Sequence, residues 1–200
     1  MYTEAVPTAS SSTRDRLLDE AMRLFGERGY EATSVAEIER SAGLTPGAGG
    51  LFHHFRTKEA VLAAGIERQL ARLEAVRQIR GAMPPLGDVR AELTLVARYV
   101  FLELEEEQEL LRVLVSEGRQ RPHLLAGAVD QVVRGTFSEF ASLLARSGGT
   151  EVGAALALGS LVAFASAELL LGKAPVEADR EEVIATWVEM VMGLLGQPGK

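Results

Sequence analysis

From Thr13 onward the apolar positions recur every three or four residues, and nowhere do they alternate with period two over a convincing length. That pattern predicts a chain built of α-helices alone. Leu17, Leu18, Ala21, Leu24 and Phe25 share one face of a first helix, and Gly29 stands where a C-terminal glycine would close it. Ser34 and Glu37 have the S-x-x-E spacing in which each side chain caps the other's backbone N–H. Val35, Ile38 and Ala42 form the inner stripe of that short second helix, which Gly43 ends. Thr45 and Pro46 read as the N-cap and first turn of a third short helix, where the missing proline N–H costs nothing. Leu51, Phe52 and Phe55 give it an apolar side. Thr57 can cap a fourth helix that turns Val61, Leu62, Ile66, Leu70, Leu73 and Val76 inward and runs to the break at 81–85.

The remainder is helical as well. Val89, Leu93, Val96, Val100 and Leu104 make one stripe, and an acidic run over 103–109 follows it. A helix of about two turns around 110–115 leads to Pro122. A long one then carries Leu125, Val129, Val132, Phe137, Phe140 and Leu144 up to Gly148 and Gly149. Residues 152–172 are almost uncharged, and Val183, Ile184, Trp187, Val188, Val191 and Leu194 build the last amphipathic stretch. The predicted fold is all-α with about nine helices. Residues 1–12, rich in Ser, Thr and Ala and without periodicity, read as a disordered lead-in.

Composition narrows the chemistry. Two hundred residues with 47% apolar and 24% charged side chains suit a folded, core-forming protein rather than a disordered one. The absence of cysteine excludes disulfides, thiolate metal sites and cysteine nucleophiles, and it fits a reducing compartment. The start of the chain shows no basic stretch followed by an apolar one, so the expected location is the cytoplasm. A net charge of −7 opposes nucleic-acid binding, which calls for a basic footprint. The distribution qualifies the sum: between Arg40 and Lys58 there is no Asp or Glu, while Arg40, Arg56 and Lys58 are positive. Residues 1–60 still hold 7 basic and 9 acidic side chains, so the patch is local.

Two short helices joined by Ser41-Ala42-Gly43-Leu44 meet the needs of a helix-turn-helix, with glycine for the tight turn and Leu44 tucked into the small core. The second helix would enter the major groove by its N-terminus, whose N–H groups suit phosphate. Helical hairpins with a glycine turn share that spacing, so on spacing alone the motif is only suggestive. The run from Thr13 to Ile38, then Ala42-Gly43-Leu44 and the stretch Leu51-Phe52-His53-His54-Phe55-Arg56-Thr57-Lys58-Glu59-Ala60, resembles the DNA-binding domain of the TetR family over about residues 13–62. By that resemblance Thr33, Ser34, Thr45, Pro46, Gly47, Ala48 and His53 fall where family members touch DNA, and Lys58 matches a lysine that reaches a phosphate. Arg40, Gly49, Phe52 and Arg56 complete the candidate DNA-binding set. Phe52 stands where the family often has tyrosine, and the segment from Pro46 to Leu51 is two residues longer than the commonest spacing. Its three glycines make a poor helix, each costing about 0.8–1 kcal/mol relative to alanine. Readout is then expected to lean on close backbone approach, thymine-methyl contacts and DNA shape.

Other features read more plainly. Adjacent helical residues diverge by about 100°, so His53 and His54 do not converge on one ion, and neither metal nor cofactor is expected. The acidic cluster at 105–109 reads as a solvated helix end. No nucleophile or phosphate loop accompanies it, so no enzyme is expected. Residues 152–167 are uncharged but fall short of a strongly apolar membrane span. By resemblance the last two helices make a four-helix dimer interface, with Leu158, Leu161, Val162, Ala165, Leu169, Trp187, Val188, Val191 and Leu194 as candidates. Arg98, Phe101, Leu104, Arg112, Val115, Phe137 and Phe140 are candidates for a ligand pocket.

The resemblance thus implies a DNA-binding domain over 13–60 and a ligand-binding and dimerisation domain over 61–197. It implies a homodimer that represses from a palindromic operator on double-stranded DNA and is released by a small hydrophobic or amphipathic effector. The alternative is an all-α carrier of a hydrophobic ligand that has lost sequence-specific DNA recognition.

Overall fold

The computed structural model describes residues 12–195, so the expected lead-in lies outside the described residues except for Ser12. The described residues form nine helices and no strand: α1 (Thr13–Arg28), α2 (Val35–Ser41), α3 (Gly50–His54), α4 (Lys58–Gly81), α5 (Val89–Glu106), α6 (Gln108–Glu117), α7 (Pro122–Ala145), α8 (Glu151–Leu171) and α9 (Arg180–Leu195). They pack as two compact units that divide after Arg68, inside α4 and further along it than the expected boundary at residue 60.

In the first unit the apolar stripe of α1 is the floor of a small core. Leu17, Leu18, Ala21, Leu24 and Phe25 are buried, and Ile38, Leu51, Val61 and Leu62 close over them. Local chemistry sets the helix ends. Ser12, expected in the lead-in, is the N-cap of α1 and accepts the Asp15 N–H at 3.1 Å. The Gly29 N–H donates to Phe25 at the other end, with φ at 85°. Ser34 and Glu37 make both halves of the expected capping box on α2. Two expectations fail here. The third helix begins at Gly50 rather than at Thr45-Pro46, and Phe52 points out, 56% exposed, instead of joining the apolar side.

In the second unit α5, α7, α8 and α9 enclose one core centred on Trp187. Its ring lies 5.7 Å from that of Phe140, and its Nε1–H donates to the Ala157 carbonyl at 2.7 Å. Burying an indole needs such a partner for its N–H. Helix α8 is long and apolar enough for a membrane span by composition alone, but Ala154, Ala157, Leu158 and Leu161 sit in this core. Its other side, with Val152, Leu156, Leu170 and Leu171, is exposed.

Toward its C-terminus α4 departs from its predicted stripe: Val76 is exposed and Arg77 is buried in its place. The Arg77 guanidinium donates to Thr136 Oγ1 at 2.9 Å and to the Val132 and Gln131 carbonyls of α7 at 3.3 and 3.4 Å. A helix interior normally offers no vacant carbonyl to a neighbour. Here Gly135 leaves open the face over them, since a Cβ on it would clash with the guanidinium. The acidic run also differs from a wholly solvated end. Glu105 and Glu106 are exposed, but Glu107, at the α5–α6 junction, is buried and its Oε2 lacks a hydrogen-bond partner. Burial pushes its carboxyl up to about 7. Glu117 is buried too, paired with Arg121 at 2.6 Å.

Candidate nucleic-acid interface

The turn after α2 folds as its residues dictate. Gly43 adopts φ 75°, and the Leu44 N–H reaches back to the Glu39 carbonyl at 2.8 Å. The chain then makes a turn at 45–48, closed by the Ala48 N–H on the Thr45 carbonyl at 3.3 Å. Gly47 and Gly49 take φ 78° and 79°, a left-handed backbone that side chains with a Cβ resist. Only at Gly50 does helix α3 begin.

What organises this segment is Glu39, a residue outside the expected set. It is 1% exposed and faces inward from α2. One carboxylate oxygen accepts the Gly47 N–H at 2.8 Å and the other the Leu51 N–H at 2.9 Å. The N–H of Leu51, then that of Gly47, with Gly50 adding to them, hold its carboxyl below its ordinary value despite burial. A carboxylate accepting several backbone N–H groups is stabilised in its charged form. The first turn of α3 therefore already has its anion, and the expected use of those N–H groups on phosphate does not fit.

The candidate residues separate into two groups. Arg40, Thr45, Pro46, Gly47, Ala48, Phe52, His53 and Arg56 are exposed, and Gly49 is half-buried. The rings of His53 and His54 meet edge to face at 5.0 Å. The others hold the scaffold. Thr33 is fully buried, its hydroxyl directed at the Gly29 carbonyl (2.9 Å) and the Leu24 carbonyl (3.2 Å), so it cannot reach DNA. The Ser34 hydroxyl is engaged with Glu37 in the capping box. Lys58 donates to the Tyr30 and Thr33 carbonyls at 2.7 and 2.9 Å and lies 4.1 Å from the Tyr30 ring centroid. Two of its three donors are thereby committed to the α1–α2 connection.

The second unit holds a cavity of about 350 Å³ between the ends of α5 and α8 and the start of α9. Of the expected ligand set, Phe101 and Leu104 line it. Phe140 lies in the Trp187 core and Phe137 packs against it, Val115 is exposed, and Arg98 pairs with Glu181 at 2.7 Å. Arg112 is half-buried on α6 and is not among the lining residues. The charges at the cavity are Glu105, Glu168 and Arg180, with Arg180 paired to Glu105 and 5.2 Å from the Phe101 ring centroid.

The expected interface residues divide likewise. Leu158, Leu161, Trp187, Val188 and Val191 belong to the core of the chain itself. Val162, Ala165 and Leu169 are half-buried, the last two lining the cavity, and Leu194 is 50% exposed. The uncovered apolar side chains of these helices are Val152, Leu156, Leu170 and Leu171 on α8 and Met190 and Leu194 on α9.

Residues 17–64 match the sequence profile of bacterial regulatory proteins of the tetR family, a stretch that holds the turn, α3 and most of the first core. The chain is 35% identical over 81 residues to the transcriptional repressor Rv1474c of Mycobacterium tuberculosis, covering 40% of this chain and 42% of that protein. It is 32% identical over 132 residues to the transcriptional regulator UidR of Escherichia coli K12, covering 63% and 59%. The chain thus spans about half the length of these curated relatives. Its fold is like that of the regulator FadR from Bacillus subtilis, solved in complex with stearoyl-CoA, with a TM-score of 0.64 at 17% identity over 88% of this chain and 96% of that one. The helix-turn-helix of residues 17–64 is thus of the kind that the profile of the tetR family of bacterial regulatory proteins describes.

Proposed function

We propose that the chain acts in the cytoplasm as a homodimeric transcriptional repressor that occupies a palindromic operator and is released by a small apolar or amphipathic effector. The observation that carries this reading is the exposed, acid-free edge from Arg40 to Arg56 on a helix-turn-helix of the tetR type. Two copies are needed because one such unit reads only a half-site, and half-sites lie about 34–36 Å apart. The exposed apolar side chains of α8 and α9 suit a self-complementary contact. The cavity bounded by Phe101, Leu104 and Leu169 has the size of a small-ligand site. Its mixed lining suits an amphipathic molecule. An effector releases DNA only if it binds better to the conformation whose half-site spacing misfits the operator. No chemical step is assigned to the chain.

The test is retention of fragmented genomic DNA from the source organism at about 150 mM salt, beside an Arg40→Ala/Arg56→Ala variant. Lys58 is left intact because it holds the scaffold. Enrichment of one palindromic site, lost in the variant, is the expected result. A folded dimer that enriches nothing refutes the reading and leaves a hydrophobic-ligand carrier in its place.

A further inference from the structure

We propose that Glu39 is a positioning residue for DNA recognition: its buried carboxylate fixes the 45–51 segment so that bare glycine backbone, Phe52 and His53 meet the DNA, and it withdraws the start of α3 from phosphate. The inference rests on the DNA-binding reading above. It begins with a cost. The segment from Gly47 to Gly50 contains three glycines, which lose more backbone freedom on ordering than any other residue. Left alone it would sample many conformations. Glu39 closes it at both ends, one oxygen on the Gly47 N–H and the other on the Leu51 N–H.

The two left-handed glycines inside this clamp have open surroundings. Apart from its chain neighbours, no atom lies within 4 Å of a Cβ built on Gly47 or Gly49, so glycine is required there by backbone angle and not by lack of room. Their outer faces are free for another molecule to approach the main chain closely. Gly50 differs, since a Cβ there would lie 2.9 Å from Leu44 Cδ1. Inside the clamp, therefore, the segment is packed, and outside it is open backbone.

Charge gives the inference a distinctive signature. A carboxylate near a DNA-facing surface weakens non-specific attraction to phosphate. If Glu39 only added negative charge, removing it would strengthen binding to every duplex alike. If it positions the segment, removing it lowers specific affinity while non-specific affinity holds or rises. Glu39→Gln keeps shape and presents one acceptor oxygen, but it turns an NH₂ group toward one of the two N–H groups. Glu39→Ala removes both acceptors and leaves a small void.

The experiment uses the full chain and two readouts. Amide hydrogen exchange across 45–51 is expected to be at least tenfold faster (~1.4 kcal/mol) in Glu39→Gln, with the α1 core amides unchanged. On the site that the wild type enriches, Glu39→Gln is expected to lose about tenfold in affinity and Glu39→Ala more, with affinity for an unrelated duplex unchanged or raised. Unchanged exchange across the segment overturns the proposal, as does a parallel shift of specific and non-specific affinity. If the wild type enriches no DNA, the DNA-binding reading itself fails and this proposal with it. If wild type and Glu39→Gln enrich the same site equally, only the role of Glu39 fails.

Discussion

Replacing Gly135 by alanine sets two known effects against each other. Gly135 lies in the interior of α7, where alanine is favoured over glycine by about 0.8–1 kcal/mol. On propensity alone the variant should be more stable. Arg77 opposes this. A Cβ on Gly135 would come 2.9 Å from Nη2, with Nη1 and Cζ nearer still. The guanidinium must retreat from Thr136 and from two carbonyls of α7. Hydrogen bonds from a charged donor contribute about 1.5–3 kcal/mol each, but two of these are long, and Thr136 keeps its own bond to Val132 at 2.8 Å. Their combined loss is then about 3 kcal/mol by the same measure, and the net effect a destabilisation of about 2 kcal/mol after the helix-propensity gain. Urea unfolding at fixed protein concentration measures it, since association would otherwise shift the midpoint. In an Arg77→Met background the clash is gone, and Gly135→Ala should stabilise by about 1 kcal/mol. Stabilisation of that size in the wild-type background as well would refute the assigned role of Arg77.

Four further outcomes follow from other sites. Lys58→Met should destabilise the protein by about 2 kcal/mol through the loss of two charge-assisted bonds to the α1–α2 connection, read as a lowered thermal midpoint. Arg40→Ala and Arg56→Ala should leave that midpoint unchanged, and each should reduce the slope of log affinity against log salt by about 0.9 per phosphate contact removed. Glu107 is held near 7 in the fold against 4.5 unfolded, so the folded state binds the extra proton between those values. Its contribution is therefore fully present below about 4.5 and is lost as pH rises through about 7; unfolding curves of Glu107→Gln should lack that decline. Leu156→Glu on the uncovered side of α8 should give a folded monomer by sedimentation, whereas Leu158→Glu should unfold the chain by burying a charge in the Trp187 core.

The fold was legible wherever a signal was local and periodic. The α1 stripe, the Ser34–Glu37 box and the Gly29 and Gly43 stops each depend on residues within a few positions of one another, and each forms. The third helix starts later than its sequence signals because Thr45 and Pro46 carry helix-start chemistry that a turn satisfies equally well. What decides between them is Glu39, six residues before Thr45, which claims the N–H groups of Gly47 and Leu51. The sequence does carry a signal: Glu39 lies four residues after Val35 and three before Ala42, on the inner stripe of α2 and close to a glycine-rich segment. On α8 the sequence could not separate chain core from contact surface. A helix apolar on every side has no stripe, so Leu158 and Leu156 look alike until α5, α7 and α9 choose one of them.

The acidity of the chain and its DNA-binding reading are reconciled by where the charges lie. Arg90, Arg98, Arg134, Arg146 and Arg180 in the second unit each face a carboxylate, as do Arg23, Arg28 and Arg68 in the first. Such pairs add little to stability when exposed and sum to no net charge, so the −7 of the whole is carried by carboxylates outside them. Salt screens charges beyond about 8–10 Å, and between Arg40 and Lys58 the segment itself carries no acid. Glu39 borders it, but its carboxylate is turned inward and surrounded by N–H dipoles. A surface of this kind, with two exposed arginines and an open glycine backbone, gains less from general attraction to phosphate than from close fit. The physical demand on such a protein is rigidity of the segment that makes the fit, and a buried carboxylate bonded at both ends of a glycine loop supplies it.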